Sequence, residues 1–328
     1  MTIAFENTYA NLPKNFFTEQ SPAPVRKPVP ILINENLAEF LSISVDWIKS
    51  EKGLGMLSGN SLPKGSNPIA SIYAGHQFGS WNPQLGDGRA ILLGEVRGKD
   101  GLSYDIQLKG AGPTPYSRMG DGRSPLGPVL REHLVSEAMH ALGITSTRAL
   151  ASVETGESVM RETPLPGAIL TRVARSHVRI GTFQYFASVK DIKALDLLTN
   201  YVFERHYSSY PVRENKALAL LEAVMESQAK LVAKWQAVGF VHGVMNTDNM
   251  LVSGETIDFG PCAFIDNFKK SAVFSSIDHM GRYSYENQPN VAHWNIACLA
   301  QALLPLIAQN EGRALELAKE VIETFPSL

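Results

Sequence analysis

The stretch from Val241 to Pro261, VHGVMNTDNMLVSGETIDFGP, constrains the fold more than any other part of the chain. It contains an acid followed by an amide, Asp248 and Asn249, and then a short apolar segment and a Ser-Gly-Glu turn. A second acid, Asp258, follows the turn and precedes Phe-Gly. Carboxylate and amide oxygens are the hard ligands that Mg²⁺ prefers. The spacing therefore predicts a hairpin that holds Mg²⁺ beside nucleotide phosphates.

This arrangement is typical of a kinase-like fold, but one position departs from the kinase pattern. The kinase catalytic loop reads H-R-D-x-x-x-x-N, with the catalytic base in third place. In the octet that ends at Asn249, Val244 takes the third place and cannot accept a proton, while Asp248 comes just before the asparagine. The pattern keeps the predicted metal ligands but lacks the usual kinase base. It therefore favours either a reaction other than standard phosphoryl transfer or a protein without catalytic activity. We predict an α+β, protein-kinase-like two-lobed fold with a small β-rich N-terminal lobe and a helical C-terminal lobe.

Composition restricts the class of protein and its partners. The 328 residues are enough for two lobes, and 44% hydrophobic with 19% charged residues is typical of a soluble globular protein. A net charge of −2 gives no electrostatic reason for nucleic-acid or membrane partners, and two cysteines indicate a reducing compartment. The N-terminus lacks a signal-peptide pattern, and no apolar stretch approaches the roughly 20 residues of a membrane span. We expect a cytoplasmic protein.

The order of patterns along the chain predicts three regions. Residues 1–35 contain several prolines and are predicted to form an extended arm, for which a surface tether is the favoured interpretation. Residues 36–185 are expected to form the N-lobe-like nucleotide-binding region, and residues 186–328 the helical C-lobe with the catalytic loop and the Asp-Phe-Gly triplet. Residues 53–68 are predicted to be a loop. Apolar periodicity predicts helices over residues 36–49, 128–142, 213–238, 294–307 and 315–325.

Glycine-rich turns and strands in the N-terminal half point to a phosphate-binding roof. A tight turn, Gly86 to Arg89, precedes predicted strands at 90–96 and 104–109, and the second strand ends at Lys109. Glycine lets the backbone approach phosphate closely, and lysine supplies a point charge. Alone, the turn is more typical of an ordinary β-turn. Residues 110–128 form a second glycine-rich segment, and such a long irregular segment is more often functional than filler.

Two helix acids compete as the partner of Lys109. Glu132 and Glu137 both lie in the predicted helix 128–142, and each has apolar neighbours at helical spacing. Periodicity therefore does not choose between them, and a solvent-exposed position is an alternative for either.

Three arginines in residues 168–187, Arg172, Arg175 and Arg179, suggest an anion site because guanidinium groups match phosphate oxygens. In a helix the three would share one face. In a strand, Arg172 and Arg179 would point opposite ways, and a shared site would need a bend between them. Surface arginines are an equally good interpretation of the spacing.

Four blocks of sequence together resemble the selenoprotein O family of protein adenylyltransferases. The blocks are YAGHQFGSWNPQLGDGRAILLGEV, QLKGAGPTPYSRMGDGRSPLGPVLREHLVSEAMHALGI, LTRVARSHVRIGTFQYFA and GFVHGVMNTDNMLVSGETIDFGPCAF, and the resemblance covers about residues 5 to 328. It implies a protein-kinase-like fold long classed as a pseudokinase. It also implies that ATP binds in a flipped orientation and that AMP, rather than phosphate, is transferred to protein hydroxyls.

The resemblance also implies a role for each matching residue. Asp248 becomes the catalytic base, and Asn249 and Asp258 become the metal ligands. Glu132 is favoured over Glu137 as the partner of Lys109. The implied ligands are ATP and Mg²⁺, with Mn²⁺ as an alternative, and the implied partners are protein substrates with Ser, Thr or Tyr hydroxyls; we expect a monomer. The implied ATP-binding positions are Gly86, Gly88, Arg89, Lys109, Asp121, Gly122, Arg172, Arg179 and Asp258.

Two alternatives remain open from the residues. One is a protein-kinase-type phosphotransferase with Asp248 as an atypical base, and the other is a non-catalytic nucleotide-binding pseudokinase. Family members are generally longer, with a further helical region and often a redox-active Cys or selenocysteine near the C-terminus. That region does not follow Leu328 here, so we do not expect this form of regulation in the printed sequence.

Overall fold

The structure, a computed structural model, describes residues 3–328. The chain forms two compact units. Unit 1 contains the residues up to Ile72 together with Leu85–His177, and unit 2 contains Tyr73–Gln84 together with Val178–Leu328. Unit 1 carries a large antiparallel sheet and unit 2 is mainly helical, which confirms the predicted α+β class.

The elements follow one another along the chain with three changes of unit. The first part of unit 1 contains β1 (Phe17–Glu19), β2 (Val29–Ile33), α1 (Glu35–Phe40), α2 (Val45–Ile48), α3 (Glu51–Ser58) and β3 (Ile69–Ser71). A hairpin of unit 2 follows, β4 (Gly75–Gln77) and β5 (Ser80–Asn82). Unit 1 resumes with β6 (Ala90–Arg97), β7 (Ser103–Lys109), β8 (Ser124–Pro125), α4 (Leu126–Ala141), β9 (Arg148–Met160) and β10 (Pro164–Ala174). Unit 2 ends the chain with α5 (Ile180–Ser188), α6 (Ile192–His206), α7 (Lys216–Ala237), β11 (Phe240–Val241), β12 (Ala263–Phe264), α8 (Gln288–Ile307) and α9 (Glu311–Ile322).

The sheet of unit 1 has the strand order β1-β3-β6-β7-β10-β9-β2, with β8 paired to β10. In the antiparallel pair of β7 and β10, Gln107 lies opposite Arg172 and Lys109 lies opposite Leu170. Directly opposed residues project from the same face of a sheet, as do residues two apart on one strand. The register therefore places Gln107, Lys109 and Arg172 on one face.

The N-terminal residues are part of this sheet, so the interpretation of a surface tether is wrong. β1 pairs with β3, and β2 pairs with β9. Phe16 and Phe17, next to each other at the start of β1, are both buried. Pro30 lies inside β2, which is an edge strand, where the missing N–H of proline does not interrupt a central ladder. The prolines thus mark a sheet edge.

Two helical predictions near the N-terminus need correction. The predicted helix 36–49 is split into α1 and α2, because Ser42 between them has a left-handed backbone with φ of 59°. Residues 53–58, the first part of the predicted loop 53–68, belong to α3, and the Ser50 side chain caps this helix by accepting from Gly53 N. A β-carbon at Gly53 would lie 2.3 Å from Ile48 O. The glycine that suggested a loop therefore permits close packing within a helix.

The other four predicted helices are present as α4, α7, α8 and α9, with ends shifted by a few residues. α7 begins after Asn215, whose side chain accepts from Leu218 N, and Gly239 with φ of 68° follows its end. Burial of one face of α7 against α8 and α9 forms much of the core of unit 2.

The segment Tyr285–Ile307, which includes α8, is long and apolar enough to cross a membrane by length and composition, with a mean hydropathy of 1.2. Polar residues such as His293, Asn295 and Gln301 interrupt the segment, so it is not an uninterrupted apolar stretch. In the apolar 18-residue window of this segment, 56% is buried inside the structure. Its side chains pack on α7 and α5, as expected of a core helix.

Candidate active site

Three charged side chains of unit 1 form a buried ionic group on one face of the sheet. Lys109 Nζ lies 2.6 Å from Glu132 Oε2, and Arg172 Nε lies 2.7 Å from Glu132 Oε1. The second contact of Arg172 with the same oxygen is made through Nη2. Glu132 is therefore the helix acid that pairs with Lys109. Glu137 instead accepts from Arg148, at 2.8 and 2.6 Å.

The predicted glycine positions lie where two loops of unit 1 meet. Thr114 Oγ1 donates to Asp87 O at 2.8 Å, and this contact joins the segment 110–123 to the turn 86–89. A β-carbon at Gly86 would lie 2.5 Å from the Tyr116 ring, and one at Gly88 would lie 2.7 Å from Tyr116 O. Both positions therefore require glycine for close packing between the loops.

The remaining predicted positions of unit 1 have different surroundings. Asp121 is exposed, and its carboxylate pairs with Arg161 at 2.8 Å. The hydrogen bond from Arg161 lowers the pKa of Asp121, although burial opposes the shift. Gly122 has φ of 64°, and a β-carbon there would lie 2.0 Å from Gly112 O. Arg89 is exposed and directly precedes β6.

Arg172 and Arg179 lie in two different elements of the segment 168–187. Arg172 lies near the end of β10, and Arg179 is the N-cap residue of α5. The two arginines belong to different units. The segment is thus partly strand and partly helix, an arrangement that falls between the two alternatives considered from the sequence.

The loop around Asp248 is held by side chains of the core helices of unit 2. Gln228 Nε2 of α7 donates to Leu251 O at 2.7 Å, and Asn295 Nδ2 of α8 donates to Met245 O at 2.9 Å. His242 Nε2 lies 2.7 Å from Ile257 O, so the first residue of the loop is bonded to the residue before Asp258. These polar groups replace the regular backbone ladder that an irregular buried loop lacks.

Arg179 joins the two acids of the predicted metal hairpin. Its Nη1 lies 3.0 Å from Asp258 Oδ2 and also donates to the backbone carbonyl of Asp248. The guanidinium lies 4.8 Å from the centre of the Tyr73 ring. Asp258 itself has a left-handed backbone with φ of 61°, a conformation that costs free energy for a residue other than glycine. Such strain is common at ligand-binding positions.

The carboxylate of Asp248 is buried and has a shifted pKa. Burial raises the pKa of Asp248 to about 6, although the Gln77 hydrogen bond and the Arg179 charge oppose the shift. Asp248 is 7% exposed, and its Oδ1 has no hydrogen-bond partner among the described residues. A buried carboxylate with a raised pKa and an oxygen with unused lone pairs has the properties of a general base.

A hairpin far away in sequence contacts the Asp248 loop, and the sequence analysis did not assign it a role. Gln77 Nε2 donates to Asp248 Oδ2 at 3.0 Å, and His76 N donates to Thr247 Oγ1 at 2.7 Å. The contacts join residues 171 positions apart. Gln77 lies in one of the four blocks that carry the family resemblance, but no local spacing links it to Asp248.

The donor set fits a divalent cation held partly by substrate. Asn249 Nδ2 donates to Val244 O at 3.0 Å, and this hydrogen bond orients the side-chain amide. The amide oxygen, the atom that Mg²⁺ would bind, is not used by this hydrogen bond. The Asp258 side chain is 22% exposed, so its carboxylate is accessible. Within residues 3–328 no group of three or more His, Cys, Asp or Glu is arranged for a metal. Mg²⁺ commonly takes one or two protein ligands and completes its shell with phosphates and water.

Comparisons with known proteins identify the family of the chain. The family model described as Protein adenylyltransferase SelO matches residues 1–325. Proteins named "Protein nucleotidyltransferase YdiU" from Rhizobium etli, Anoxybacillus flavithermus and Brevibacillus brevis are 58%, 57% and 55% identical to the chain. The matches cover 98% to 99% of the chain and 64% to 67% of the relatives.

The class of protein that these matches indicate is the protein nucleotidyltransferases, since each of these relatives carries that name. The match to the family model is then specific: the chain belongs to the SelO family of protein adenylyltransferases. The chain spans about two thirds of the length of the curated relatives it matches, 64% in the case of the Rhizobium etli protein.

Proposed function

We propose that this chain is a Mg²⁺-dependent protein adenylyltransferase with a protein-kinase-like fold, which moves AMP from ATP to Ser, Thr or Tyr hydroxyls. The observation that carries the proposal is the state of Asp248. Its carboxylate is buried and has a raised pKa, and its Oδ1 has no hydrogen-bond partner among the described residues. Asn249 follows it directly, and Asp258 follows in the same segment. Val244, in the place of the usual kinase base, cannot take that role.

In the proposed reaction Asp248 accepts the proton of the acceptor hydroxyl. The hydroxyl oxygen forms a bond to the α-phosphorus of ATP, the bond between that phosphorus and the α–β bridging oxygen breaks, and pyrophosphate leaves. Asn249 and Asp258 would hold the divalent cation, which neutralises phosphate charge when it is bound. Arg179 supplies a fixed positive charge beside Asp258 that suits a polyphosphate.

The ionic group of unit 1 supports the kinase-like assignment and a nucleotide ligand. A strand lysine paired with a helix glutamate is the arrangement that kinases use beside ATP phosphates. Lys109 and Glu132 form such a pair between β7 and α4. The sequence positions Gly86, Gly88, Arg89, Asp121, Gly122 and Arg172 remain proposed nucleotide contacts.

The proposed ligands are ATP and Mg²⁺, with Mn²⁺ as an alternative metal, and the proposed partners are proteins with accessible hydroxyls. We also propose a monomer in the cytoplasm without nucleic-acid or membrane partners. A chain of 328 residues with only two cysteines supports a reducing compartment.

Labelled ATP tests the proposal directly. The protein is incubated with Mg²⁺ and ATP that carries the label on either the α or the γ phosphate, with casein and the chain itself as acceptors. We expect transfer of the α label only, and mass spectrometry should locate AMP on hydroxyl side chains. Asp248→Asn should abolish the transfer, whereas Asp196→Asn, an exposed position on α6, should not change it.

Each other outcome identifies a different class of protein. Transfer of the γ label alone would make the chain a phosphotransferase and would contradict the proposal. ATP binding without transfer of either label would indicate a non-catalytic pseudokinase.

A further inference from the structure

We propose that Gln77 is a positioning residue for the reaction: the hairpin of β4 and β5 fixes the orientation of the Asp248 carboxylate, and Gln77 holds one of its two oxygens. This inference rests on the proposed function of Asp248 as the base.

The hairpin makes hydrogen bonds to three consecutive residues of the loop. Phe78 N donates to Asn246 Oδ1 at 3.0 Å, and His76 N donates to Thr247 Oγ1 at 2.7 Å. Gln77 Nε2 donates to Asp248 Oδ2 at 3.0 Å. The two backbone donors fix the loop as a whole, and only the Gln77 side chain reaches the carboxylate. Gln77 therefore controls the rotation of that carboxylate specifically.

The hairpin is itself fixed from two sides. Ala74 N donates to Gly181 O at 2.9 Å, which ties the start of the hairpin to α5. At the turn, Phe78 N also lies 3.1 Å from Tyr283 OH, and that hydroxyl donates to Asn246 Oδ1 at 2.6 Å. A rigid support of this kind limits movement of the side chains it carries, which is what a positioning residue requires.

Gly75 provides a second, independent indication that the hairpin sets the carboxylate orientation. A β-carbon at this position would lie 2.7 Å from Asp248 Oδ1 and 3.0 Å from Asp248 Cβ. The Gly75 backbone does not have a left-handed φ, so its lack of a side chain serves space and not conformation. Gly75 thus makes room for the oxygen that Gln77 does not hold.

Single substitutions in the hairpin separate positioning from general support of the structure. Gln77→Met keeps the shape but removes the donor, and Gln77→Glu faces Asp248 with a second carboxylate. We expect kcat for AMP transfer to fall about 10- to 100-fold in Gln77→Met and further in Gln77→Glu, with KM for ATP changed by less than about twofold. Gly75→Ala should lower kcat similarly, since the new methyl group displaces the carboxylate.

The matched control is Ser80→Ala, which alters the exposed partner of Gln77 in the same hairpin. It should keep the unchanged protein's kcat. An unchanged kcat in Gln77→Met, or a rise in KM for ATP without a fall in kcat, would overturn the proposal.

A double-mutant cycle tests the contact without using activity. The melting temperatures of the unchanged protein, Gln77→Met, Asp248→Ala and the double variant are compared without metal or nucleotide. If Gln77 holds Asp248, the two single shifts should fail to add by at least about 2 °C, because contacting residues couple. Additive shifts would overturn the proposal. The cycle gives its answer even if neither label of ATP is transferred, so failure of the proposed function is distinguishable from failure of this inference.

Discussion

The guanidinium of Arg179 lies 3.0 Å from the Asp258 carboxylate, and the same Nη1 also donates to the backbone carbonyl of Asp248. One nitrogen of the rigid, planar guanidinium thus contacts both Asp248 and Asp258, the two acids of the predicted metal site. Lysine, a compact charge on a flexible stem, does not reproduce this fixed geometry. We expect Arg179→Lys to lower the free energy of unfolding by about 1–3 kcal/mol, the usual value of hydrogen bonds to charged groups. Urea denaturation without metal measures the change.

The control for this prediction is Arg313→Lys on α9. Arg313 is half exposed and pairs only loosely with Glu316, at 3.4 Å. Exposed pairs contribute about 0–1 kcal/mol, so this variant should unfold close to the unchanged protein. Equal losses in the two variants would show that Arg179 has no special role.

Removal of the Glu132 charge should destabilise unit 1 strongly. Glu132→Gln leaves Lys109 and Arg172 buried beside each other without their carboxylate. Breaking a buried ion pair by neutralising one partner typically costs about 3–5 kcal/mol. Glu137→Gln is the matched comparison on the same helix, because Glu137 pairs with Arg148 in a more exposed setting, with 23% of its side chain accessible. A cost for Glu137→Gln as large as that for Glu132→Gln would contradict the assignment.

Asp248→Asn should stabilise the metal-free protein, and the gain should depend on pH. The pKa of Asp248 is raised by burial from 3.8 to about 6 in the folded protein. Between these values the folded state binds more protons than the unfolded state, so the stability of the unchanged protein falls as pH rises through this window. Above this window, ionisation of the buried carboxylate lowers the free energy of unfolding by about 3 kcal/mol. Asparagine does not ionise and avoids this loss.

The measurement is urea denaturation of both proteins without metal at several pH values. The variant should be more stable at about pH 7, and the difference should shrink as the pH falls toward about 4. Asp196→Asn, on the exposed face of α6, should show no such pH-dependent gain. A gain for Asp248→Asn that is independent of pH would exclude ionisation as its cause.

Asp258→Asn should weaken metal-dependent nucleotide binding. Asparagine tolerates the left-handed backbone of this position, so the substitution removes the charge with little added strain. We expect the affinity for a non-hydrolysable ATP analogue in Mg²⁺ to fall at least about tenfold, while binding in EDTA changes little. Isothermal titration calorimetry measures both. Asp266→Asn, an exposed acid shortly after the hairpin, is the control, and an undiminished Mg²⁺ dependence in Asp258→Asn would remove this residue from the metal site.

The parts of the candidate site that could be predicted from the sequence depend on short spacings. Asp248, Asn249 and Asp258 lie in the one segment between β11 and β12, so their residue types and separation alone predict a common site. Lys109 and Glu132 are 23 residues apart, and helical periodicity left Glu137 as an alternative. The choice depends on which face of α4 meets the sheet, and that is fixed by packing with β9 and β10.

The sequence could not predict contacts that depend on tertiary packing. Gln77 meets Asp248 across 171 residues, and nothing near either residue encodes that distance. The same applies to the N-terminal prolines, which looked like a tether because proline removes a donor. In the structure Pro30 lies in an edge strand, where that loss has little consequence.

The hairpin of β4 and β5 also determines when the site can be assembled. During synthesis it leaves the ribosome long before the loop that it contacts, since its partners Asn246, Thr247 and Asp248 are made about 170 residues later. The hydrogen bonds from the backbone N–H groups of His76 and Phe78 can therefore form only after most of the polypeptide has been made. Every incomplete chain that ends before residue 248 lacks Asp248, and a fragment that begins at Val178 lacks the hairpin. The contacts between the hairpin and the Asp248 loop therefore form only after residue 248 has been made, and only in a chain that still contains the hairpin.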